Sequence, residues 1–306
     1  MTAAKAEAPQ RSRTEALAAS PVLWLLPLTV ILLATFIFPI FEIARLSFTN
    51  ANLVGSDYEY TLGSYASLFT SPYFLNMLKV TAIFVFVSVA CQMIFGFLIA
   101  LTVDQGARRG MRASIITRTA VLSAWAIPGV LIGIIWSILY QQSAGGILNY
   151  ALSLVGLGPV PFLSDPEIAL ASVTIANIWR GTAFSMILVY AGLQTIPGDV
   201  LEAAKIDGAT AFQRVTRVIL PLLAPILFID LVIVSIETFN TFDMVLALTG
   251  GGPGRSTEVI ALSIYNQIFA QFDLGQGAAT AMLLLVVSVI MTIVYIRILQ
   301  REEEVT

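Results

Sequence analysis

Residues 202–225 read EAAKIDGATAFQRVTRVILPLLAP, and this is the most informative stretch of the chain. It is polar and amphipathic, although it lies between two long apolar runs. Phe212, Val215 and Ile219 recur at helical spacing, while Arg214 and Arg217 fall on other faces. Because a simple connection between membrane spans needs no such periodicity, the stretch predicts ordered helices at a membrane surface.

Local signals divide this region into a helix, a turn and a second helix. Asp199 is a favourable N-cap, and Glu202 three residues later has the spacing of a capping box. Gly208 can adopt the left-handed conformation that ends a helix, and Pro221 is predicted to open the next span. Composition leaves one alternative open, an interfacial helix that only rests on lipid.

The overall composition identifies an integral membrane protein. Hydrophobic residues make up 58% of the chain and charged residues 11%, whereas charged residues are about 25% of an average soluble domain. The balance of 16 basic and 19 acidic residues gives no reason to expect nucleic-acid binding. With no histidine and Cys91 as the single cysteine, we expect neither an internal disulfide nor a metal or Cys/His catalytic site.

Six segments have about the 20 apolar residues that are needed to cross about 30 Å of hydrocarbon. The predicted spans run approximately from Val22 to Phe41, Val80 to Val103, Thr119 to Tyr140, Ile168 to Gly192, Ile219 to Leu246 and Leu274 to Ile296. The polar N-terminal tail lacks a cleavage pattern after a short apolar core, so the first run is predicted to remain as a span.

The placement of Lys and Arg predicts the orientation. An even number of spans puts both termini on one side of the membrane. If that side is the cytoplasm, the inner segments hold twelve Lys and Arg residues and the outer segments hold only Arg45, Lys79 and Arg255. The positive-inside rule therefore predicts that the termini and the segment after Glu202 are cytoplasmic.

Polar residues interrupt the fourth and fifth predicted spans: Arg180, Asp230, Glu237, Thr238, Thr241 and Asp243. Charge inside a membrane is costly and usually functional. Asp230, Glu237 and Thr241 fall close to one line of a helix, so this stripe is predicted to face a cavity or another helix. The alternative is structural, with Arg180 paired to Glu237 or Asp243 and with Asp230 binding a partner subunit.

The pattern Glu-Ala-Ala, two residues, Asp-Gly-Ala and a later Leu-Pro resembles the EAA loop of binding-protein-dependent ABC importer permeases. It consists here of Glu202, Ala203, Ala204, Asp207, Gly208, Ala209, Leu220 and Pro221. Many members carry an aromatic residue at the position of Val215. Valine is a mild change, because it still offers an apolar contact. Four more segments resemble the carbohydrate branch of that superfamily: 125–128, 163–166, 178–181 and 248–253. The last of them is similar to the first of the two permeases in maltose-type systems, in a six-span form.

The resemblance implies an all-α integral membrane protein with six transmembrane helices and the MetI-like fold of type I ABC importer permeases. Residues 1–20 and 301–306 would be cytoplasmic tails around a permease domain at 21–300, with a family core at about 76–300 and the EAA loop at 197–221. It also implies a multi-pass protein of the bacterial cytoplasmic (inner) membrane.

The resemblance further implies a division of labour among several chains. The expected partners are a second homologous permease, two cytoplasmic ABC ATPase subunits, a periplasmic or lipid-anchored solute-binding protein, membrane lipid, and a sugar or sugar derivative as substrate. ATP and Mg²⁺ would bind to the ATPase subunits, because the only tempting phosphate-binding segment here, 250–257, has Arg255 in place of lysine. The chain itself is predicted to be no enzyme and to hold no cofactor.

Three sets of residues take predicted roles from the family. ATPase coupling is assigned to Glu202, Ala203, Ala204, Asp207, Gly208 and Ala209. Substrate binding is assigned to Arg180, Gly181, Phe184, Glu237, Thr238, Thr241 and Asp243. Contact with the binding protein is assigned to Gly250, Gly251 and Gly252, with Glu258 and Gln267 also predicted to lie on the docking surface. Helix capping by Glu202 and helix termination by Gly208 are the structural alternatives.

Two other functions compete with this interpretation. A gradient-driven secondary transporter also has charged residues within its spans, but it usually has inverted repeats and broken helices, and it leaves the segment after Glu202 unexplained. An ABC permease for a polyol, a phosphodiester or an amino acid would share the EAA loop. Dependence of uptake on ATP and on a soluble binding protein separates the importers from the gradient-driven carrier.

Overall fold

The computed structural model describes residues 21–55, 57–143 and 145–303, so the predicted tail at 1–20 lies outside the described residues. Helices make up these ranges: α1 (Pro21–Leu32, continued by a π turn at Leu33–Ile37 and by Phe38–Leu46), α2 (Gly63–Thr70), α3 (Phe74–Arg108), α4 (Arg112–Ala126), α5 (Gly129–Leu139), α6 (Ile147–Leu154), α7 (Pro166–Thr195), α8 (Gly198–Ile206), α9 (Ala211–Arg214, continued by a π turn at Val215–Ile219 and by Leu220–Phe239), α10 (Asp243–Thr249), α11 (Ile260–Tyr265, continued by a π turn at Asn266–Ala270) and α12 (Leu274–Glu303).

Five helices are long and apolar enough to cross a membrane: Trp24–Leu46, Phe74–Arg108, Pro166–Thr195, Ala211–Phe239 and Leu274–Arg297. The bent pair of α4 and α5 makes a sixth span if it is counted as one. In the described part of the chain, β structure is limited to two isolated bridges. The predicted all-α class with six membrane-crossing units is therefore confirmed, whereas the side on which the termini lie stays a prediction.

The third predicted span is not the straight helix that its apolar run suggested. α4 ends at Ala126, α5 begins at Gly129, and their axes differ by 104°. Ile127 adopts an extended conformation with a ψ of 129° before Pro128. A residue before proline avoids the helical region, and proline has no backbone N–H, so the helix stops here despite its hydrophobicity.

The fifth predicted span was wrong at both ends. The helix begins at Ala211 and ends at Phe239, and Phe242, with a φ of −130°, separates it from α10. The second amphipathic helix of the 202–225 stretch is therefore the first part of this long helix. Asp243 lies outside the span as the first residue of α10. Continuous hydrophobicity from Ile219 to Leu246 concealed the break, because hydropathy does not report backbone direction.

The predicted capping box at Asp199 and Glu202 is also wrong. Pro197 occupies the N-cap of α8 without a side-chain hydrogen bond, so Asp199 falls within the first turn. A complete capping box begins α9 instead: the Gln213 N–H donates to Thr210 Oγ1, and the Thr210 N–H donates to Gln213 Oε1 at 2.8 Å. The start of α9 is therefore fixed by two local hydrogen bonds.

The core of the bundle is the close packing of α3 against α7. Gly96 of α3 approaches Ser185 of α7 so closely that a Cβ atom would overlap the serine side chain and backbone. Small residues at such crossings let helix backbones come together without a strong hydrophobic driving force. By contrast, the apolar surface of α1 is exposed along most of its length.

Candidate functional site

The EAA segment, residues 197–221, consists of α8, a tight turn and the start of α9. Gly208 has a φ of 78°, its N–H donates to the Lys205 carbonyl, and the Ala209 N–H donates to the Ala204 carbonyl at 3.0 Å. These two bonds form a Schellman motif, which ends a helix with a residue in the left-handed region. A Cβ atom at Gly208 would meet no neighbour, so glycine is required here by backbone conformation and not by space.

One side of the EAA segment is anchored to the helical bundle and the other is open. Leu201 and Val215 pack against the apolar cluster that includes Leu193 and Leu223. The side chains of Ile206 and Phe212 are 86% and 75% exposed. Of the six predicted coupling residues, four are exposed and two are half-buried: Glu202, Ala203, Asp207 and Gly208, then Ala204 and Ala209.

A polar cluster that sequence reasoning missed fixes the helix leading into the EAA segment. Asp104, which is 5% exposed, accepts hydrogen bonds from Arg108 Nε at 2.8 Å and from Gln194 Nε2 at 2.7 Å. Arg108 Nη2 also donates to the Leu193 carbonyl at 3.2 Å. This inner clamp, consisting of Asp104, Arg108 and Gln194, joins the end of α3 to the end of α7. The i,i+4 spacing of Asp104 and Arg108 was a visible signal, whereas their link to Gln194 was not.

A narrow cleft with a cavity volume of about 30 Å³ lies between α3, α4, α7 and α9. It contains five of the seven predicted substrate residues together with four that sequence reasoning missed: Arg180, Phe184, Glu237, Thr238 and Thr241, then Gln92, Trp125, Asn177 and Val234. The rings of Trp125 and Phe184 are 5.8 Å apart at an angle of 41°. The cleft therefore combines an aromatic wall with charged, hydroxyl and amide groups.

The charged residues of the cleft are not neutralised by each other. Within the described ranges, ion pairs join Glu42 to Arg45, Asp104 to Arg108 and Arg255 to Glu258, and none involves Arg180 or Glu237. The structural alternative of a pair between Arg180 and Glu237 is therefore not found. Both side chains line the same cleft, and neither forms an ion pair within the described ranges.

Asp243, a predicted substrate residue, lies elsewhere. Its carboxylate packs against Gly129, so closely that a Cβ atom at Gly129 would overlap it. Gly129 is the first residue of α5, and a carboxylate at a helix N-terminus is stabilised by the helix dipole. This position gives Asp243 a structural contact at the bend of the third span and keeps it out of the cleft lining.

Gly181, the other predicted substrate residue outside the lining, positions a neighbour that does belong to it. A Cβ atom at Gly181 would overlap the side-chain amide of Gln92. Gln92 is 2% exposed, and its amide donates to the Asn177 carbonyl at 3.0 Å. The signal for Gln92 was present in the sequence as an uncharged polar residue in the middle of an apolar run.

The predicted polar stripe, which runs along α9 and ends at Thr241 in the connection after it, divides between two environments. Glu237 and Thr241 line the cleft, but Asp230 is 0% exposed and both of its carboxylate oxygens lack a hydrogen-bond partner among the described residues. Two helical turns separate Asp230 from Glu237. The stripe therefore faces the cleft only in its last turns and is buried between helices before them.

The predicted docking surface for a binding protein is less exposed than expected. Gly250 and Gly251 have φ values of 61° and 89° and form the turn after α10, but Gly251 is buried, Gly252 is half-buried and only Gly250 is exposed. Glu258 and Gln267 are 6% and 7% exposed, so their placement on a free surface was wrong. Both side chains instead line a polar pocket at this end of the molecule.

Residues 92–303 match the family model described as "Binding-protein-dependent transport system inner membrane component". The chain belongs to this family. The match includes the EAA segment and every residue that lines the cleft. The membership establishes a multi-pass membrane permease component and agrees with the family that the Glu202 motif indicated.

Individual relatives agree with the family model. The trehalose/maltose transport system permease protein MalF of Thermococcus litoralis is 34% identical over 90% of this chain and 92% of its own length. The sn-glycerol-3-phosphate transport system permease protein UgpA of Agrobacterium fabrum is 32% identical over 82% of each chain. The crystal structure of a bacterial ABC transporter involved in the import of the acidic polysaccharide alginate matches with a TM-score of 0.78 at 23% identity, covering 91% of this chain and 94% of that one. The last likeness confirms the fold.

Proposed function

We propose that this chain is one of two permease subunits of an ATP-driven, binding-protein-dependent importer of a sugar or sugar derivative in a bacterial cytoplasmic membrane. One observation carries the proposal: the EAA segment connects α7 directly to α9, and these two helices supply six of the nine residues that line the cleft. A movement of the segment therefore reaches the cleft through continuous helices.

Coupling to the ATPase is assigned to the exposed side of the EAA segment. Glu202 and Asp207 offer carboxylates, and Ile206 and Phe212 offer a large apolar contact. Because Leu201 and Val215 fix the other side to the bundle, a docked ATPase subunit moves α8 together with the ends of α7 and α9. Two such subunits bind ATP and Mg²⁺, and their closure switches the cleft between inward and outward access. The chain itself is no enzyme in this scheme.

Sugar binding is assigned to the cleft. Carboxylate, hydroxyl and amide groups all accept hydrogen bonds from sugar hydroxyls. The hydroxyl and amide groups also donate hydrogen bonds to them. Trp125 and Phe184 offer flat apolar faces to the C–H side of a ring. The second permease supplies the facing half of the pathway, and a periplasmic or lipid-anchored binding protein delivers the substrate near the exposed Gly250.

An anionic polyol is the second candidate substrate. Arg180 faces the cleft without an ion-pair partner in the described part of the chain, and a guanidinium group binds phosphate well. One relative is named for sn-glycerol-3-phosphate transport. The two candidates are separated by measuring how well an unlabelled neutral sugar and sn-glycerol 3-phosphate each compete with the uptake of a labelled neutral disaccharide.

The experiment that tests coupling replaces Gly208 by valine in the complete transporter reconstituted with its binding protein. A β-branched residue is strained at a φ of 78°, although there is space for its side chain. We expect ATP-dependent uptake to be abolished while the protein still inserts in the membrane. Gly198→Ala is the matched control, because Gly198 also lies in the EAA segment but has an ordinary φ and an open environment. Wild-type uptake by Gly208→Val would contradict the assignment.

A further inference from the structure

A second polar pocket lies at the end of the molecule opposite the EAA segment. α9 leaves the EAA segment and runs to Phe239, and the pocket is formed by the chain that follows it together with the start of α3. Its polar lining includes Tyr73, Arg255, Glu258, Gln267, Gln271 and Gln276, and it shares no residue with the cleft. We call it the amide pocket after its three glutamines. Its cavity volume is about 150 Å³.

The charged wall of the amide pocket is held in place by several contacts. Arg255 has a φ of 65°, its guanidinium carbon lies 4.1 Å from the centre of the Tyr73 ring, and its Nε is 3.3 Å from Glu258 Oε2. Asn76 Nδ2 donates to the Arg255 carbonyl at 3.1 Å and ties the loop to α3. The positive charge is therefore already compensated, and the wall is organised before any ligand arrives.

The glutamines of the amide pocket have unused hydrogen-bonding capacity. Gln267 is 7% exposed, its Oε1 has no partner, and its Nε2 has only a 3.5 Å contact with Ser263 Oγ. If the amide is turned by 180°, the oxygen meets Ser263 and the nitrogen loses its partner, so one end stays unsatisfied in either orientation. Gln271 is exposed and Gln276 is half-buried, so their side-chain amides are accessible to a ligand in the pocket. A buried polar atom without a partner is destabilising, and a ligand that supplies the partner recovers this cost.

The chemistry of the lining selects among ligands. An amide group donates and accepts hydrogen bonds, as a sugar hydroxyl does, so three amides match a hydroxyl-rich molecule. An anion would compete for Arg255, which is already paired with Glu258 beside it. An apolar ligand would leave the unpaired amide atoms unsatisfied. A neutral sugar ring therefore fits this lining best.

We propose that the amide pocket is a second sugar site, which binds one neutral sugar ring at the entrance end of the permease before the substrate reaches the cleft. The proposal rests on the proposed function, because that function places this end of the chain on the side where the binding protein releases sugar. It adds a second sugar-binding site to the proposed function, and a binding step that comes before the substrate enters the cleft.

Hydrogen exchange on the complete transporter, without binding protein, tests the site. Trehalose is the probe and sn-glycerol 3-phosphate is the anionic comparison. We expect trehalose to slow amide exchange in residues 250–258 and 263–276. In Gln267→Met, the apparent affinity for trehalose that this protection reports should fall about tenfold, because one good hydrogen bond to the ligand is lost. Its melting temperature should be equal to or above that of the wild type, because the substitution removes a buried unpartnered group.

Gln142→Met is the matched control, because Gln142 is an exposed glutamine outside the amide pocket. It should leave the protection unchanged. Unaltered protection in Gln267→Met, protection by glycerol 3-phosphate but not by trehalose, or no protection at all would each overturn the second site. ATP-dependent uptake is measured in the same preparations with binding protein added. Uptake of sugar without protection overturns only the amide pocket, whereas absence of any sugar uptake counts against the proposed function.

Discussion

At the residue scale, Thr238 provides the clearest test of the cleft. Its side chain is 3% exposed, it lines the cleft, and its hydroxyl forms no hydrogen bond with the described residues. Thr238→Val keeps the shape and removes only the hydroxyl. We expect the KM of uptake to rise about tenfold, because one hydrogen bond to substrate is lost. Transport kinetics in proteoliposomes measure this.

Thr102→Val is the control for Thr238→Val. Thr102 is exposed on α3, and its hydroxyl donates only to the Ile99 carbonyl of its own helix. The KM should not change in this variant. An unchanged KM in Thr238→Val as well would remove Thr238 from the substrate site.

Gly181 allows a prediction about stability and not about ligand contact. An alanine methyl group would overlap Gln92 and displace the amide that bonds to Asn177. Overpacking of this kind costs about 1–3 kcal/mol. We expect Gly181→Ala to lower the melting temperature of the purified complex, while Gly198→Ala leaves it unchanged. Equal melting temperatures for both variants would mean that α3 and α7 can move apart at this contact without loss of stability.

At the scale of elements, the inner clamp decides how firmly α3 and α7 are joined near the EAA segment. Asp104→Ala leaves the Arg108 and Gln194 donors without their carboxylate, which is itself buried. We expect a loss of about 1–3 kcal/mol in stability and a larger loss of uptake than of ATP hydrolysis, because the helix end that receives the motion becomes loose. Thermal unfolding and the ratio of transport to ATP hydrolysis measure the two effects.

Glu42→Ala is the comparison for the inner clamp. Glu42 and Arg45 also form a 2.8 Å ion pair within one helix, but both side chains are about one-third exposed. Exposed pairs contribute about 0–1 kcal/mol, so this variant should behave almost as the wild type. If Asp104→Ala behaves in the same way, the clamp has no part in coupling.

The elements also show what sequence can and cannot predict. Apolar runs predicted the long helices. The Glu202 motif predicted the family and the helix–turn–helix around Gly208. The break at Pro128 had a sequence signal that the surrounding hydrophobicity outweighed. The break after Phe239 had almost none, because residues on both sides are apolar. The partnership of Asp104 with Gln194 joins residues 90 positions apart, which no local pattern reveals.

The site could be predicted only in part for a related reason. Arg180, Glu237 and Thr238 were found because polar groups in a span are conspicuous. Asp243 was placed with them because the span was expected to continue through it, but it lies at the start of α10 beside Gly129. Trp125 lines the cleft from α4, and nothing in the sequence indicates which face of α4 lies toward the cleft.

At the scale of the whole molecule, the orientation in the membrane can be tested with single cysteines. Cys91 is replaced by serine, and cysteine is then placed at Lys205 in α8 or at Gly158 in the exposed loop before α7. A maleimide that cannot cross membranes should label Gly158→Cys in intact cells and Lys205→Cys only after permeabilisation. The reverse pattern would invert the topology and exclude docking of the EAA segment to a cytosolic ATPase.

The π turn at Val215–Ile219 has a consequence for chain length. A π turn accommodates one extra residue inside a helix while the flanking α-helical parts keep their relative rotation. Deleting one residue within it should leave Glu237 and Thr238 facing as they do now. A deletion between Pro225 and Val234 would turn them by about 100° away from their present face. Natural relatives that are one residue shorter here can therefore keep the same cleft, and alignments of the family should place a single gap at this turn.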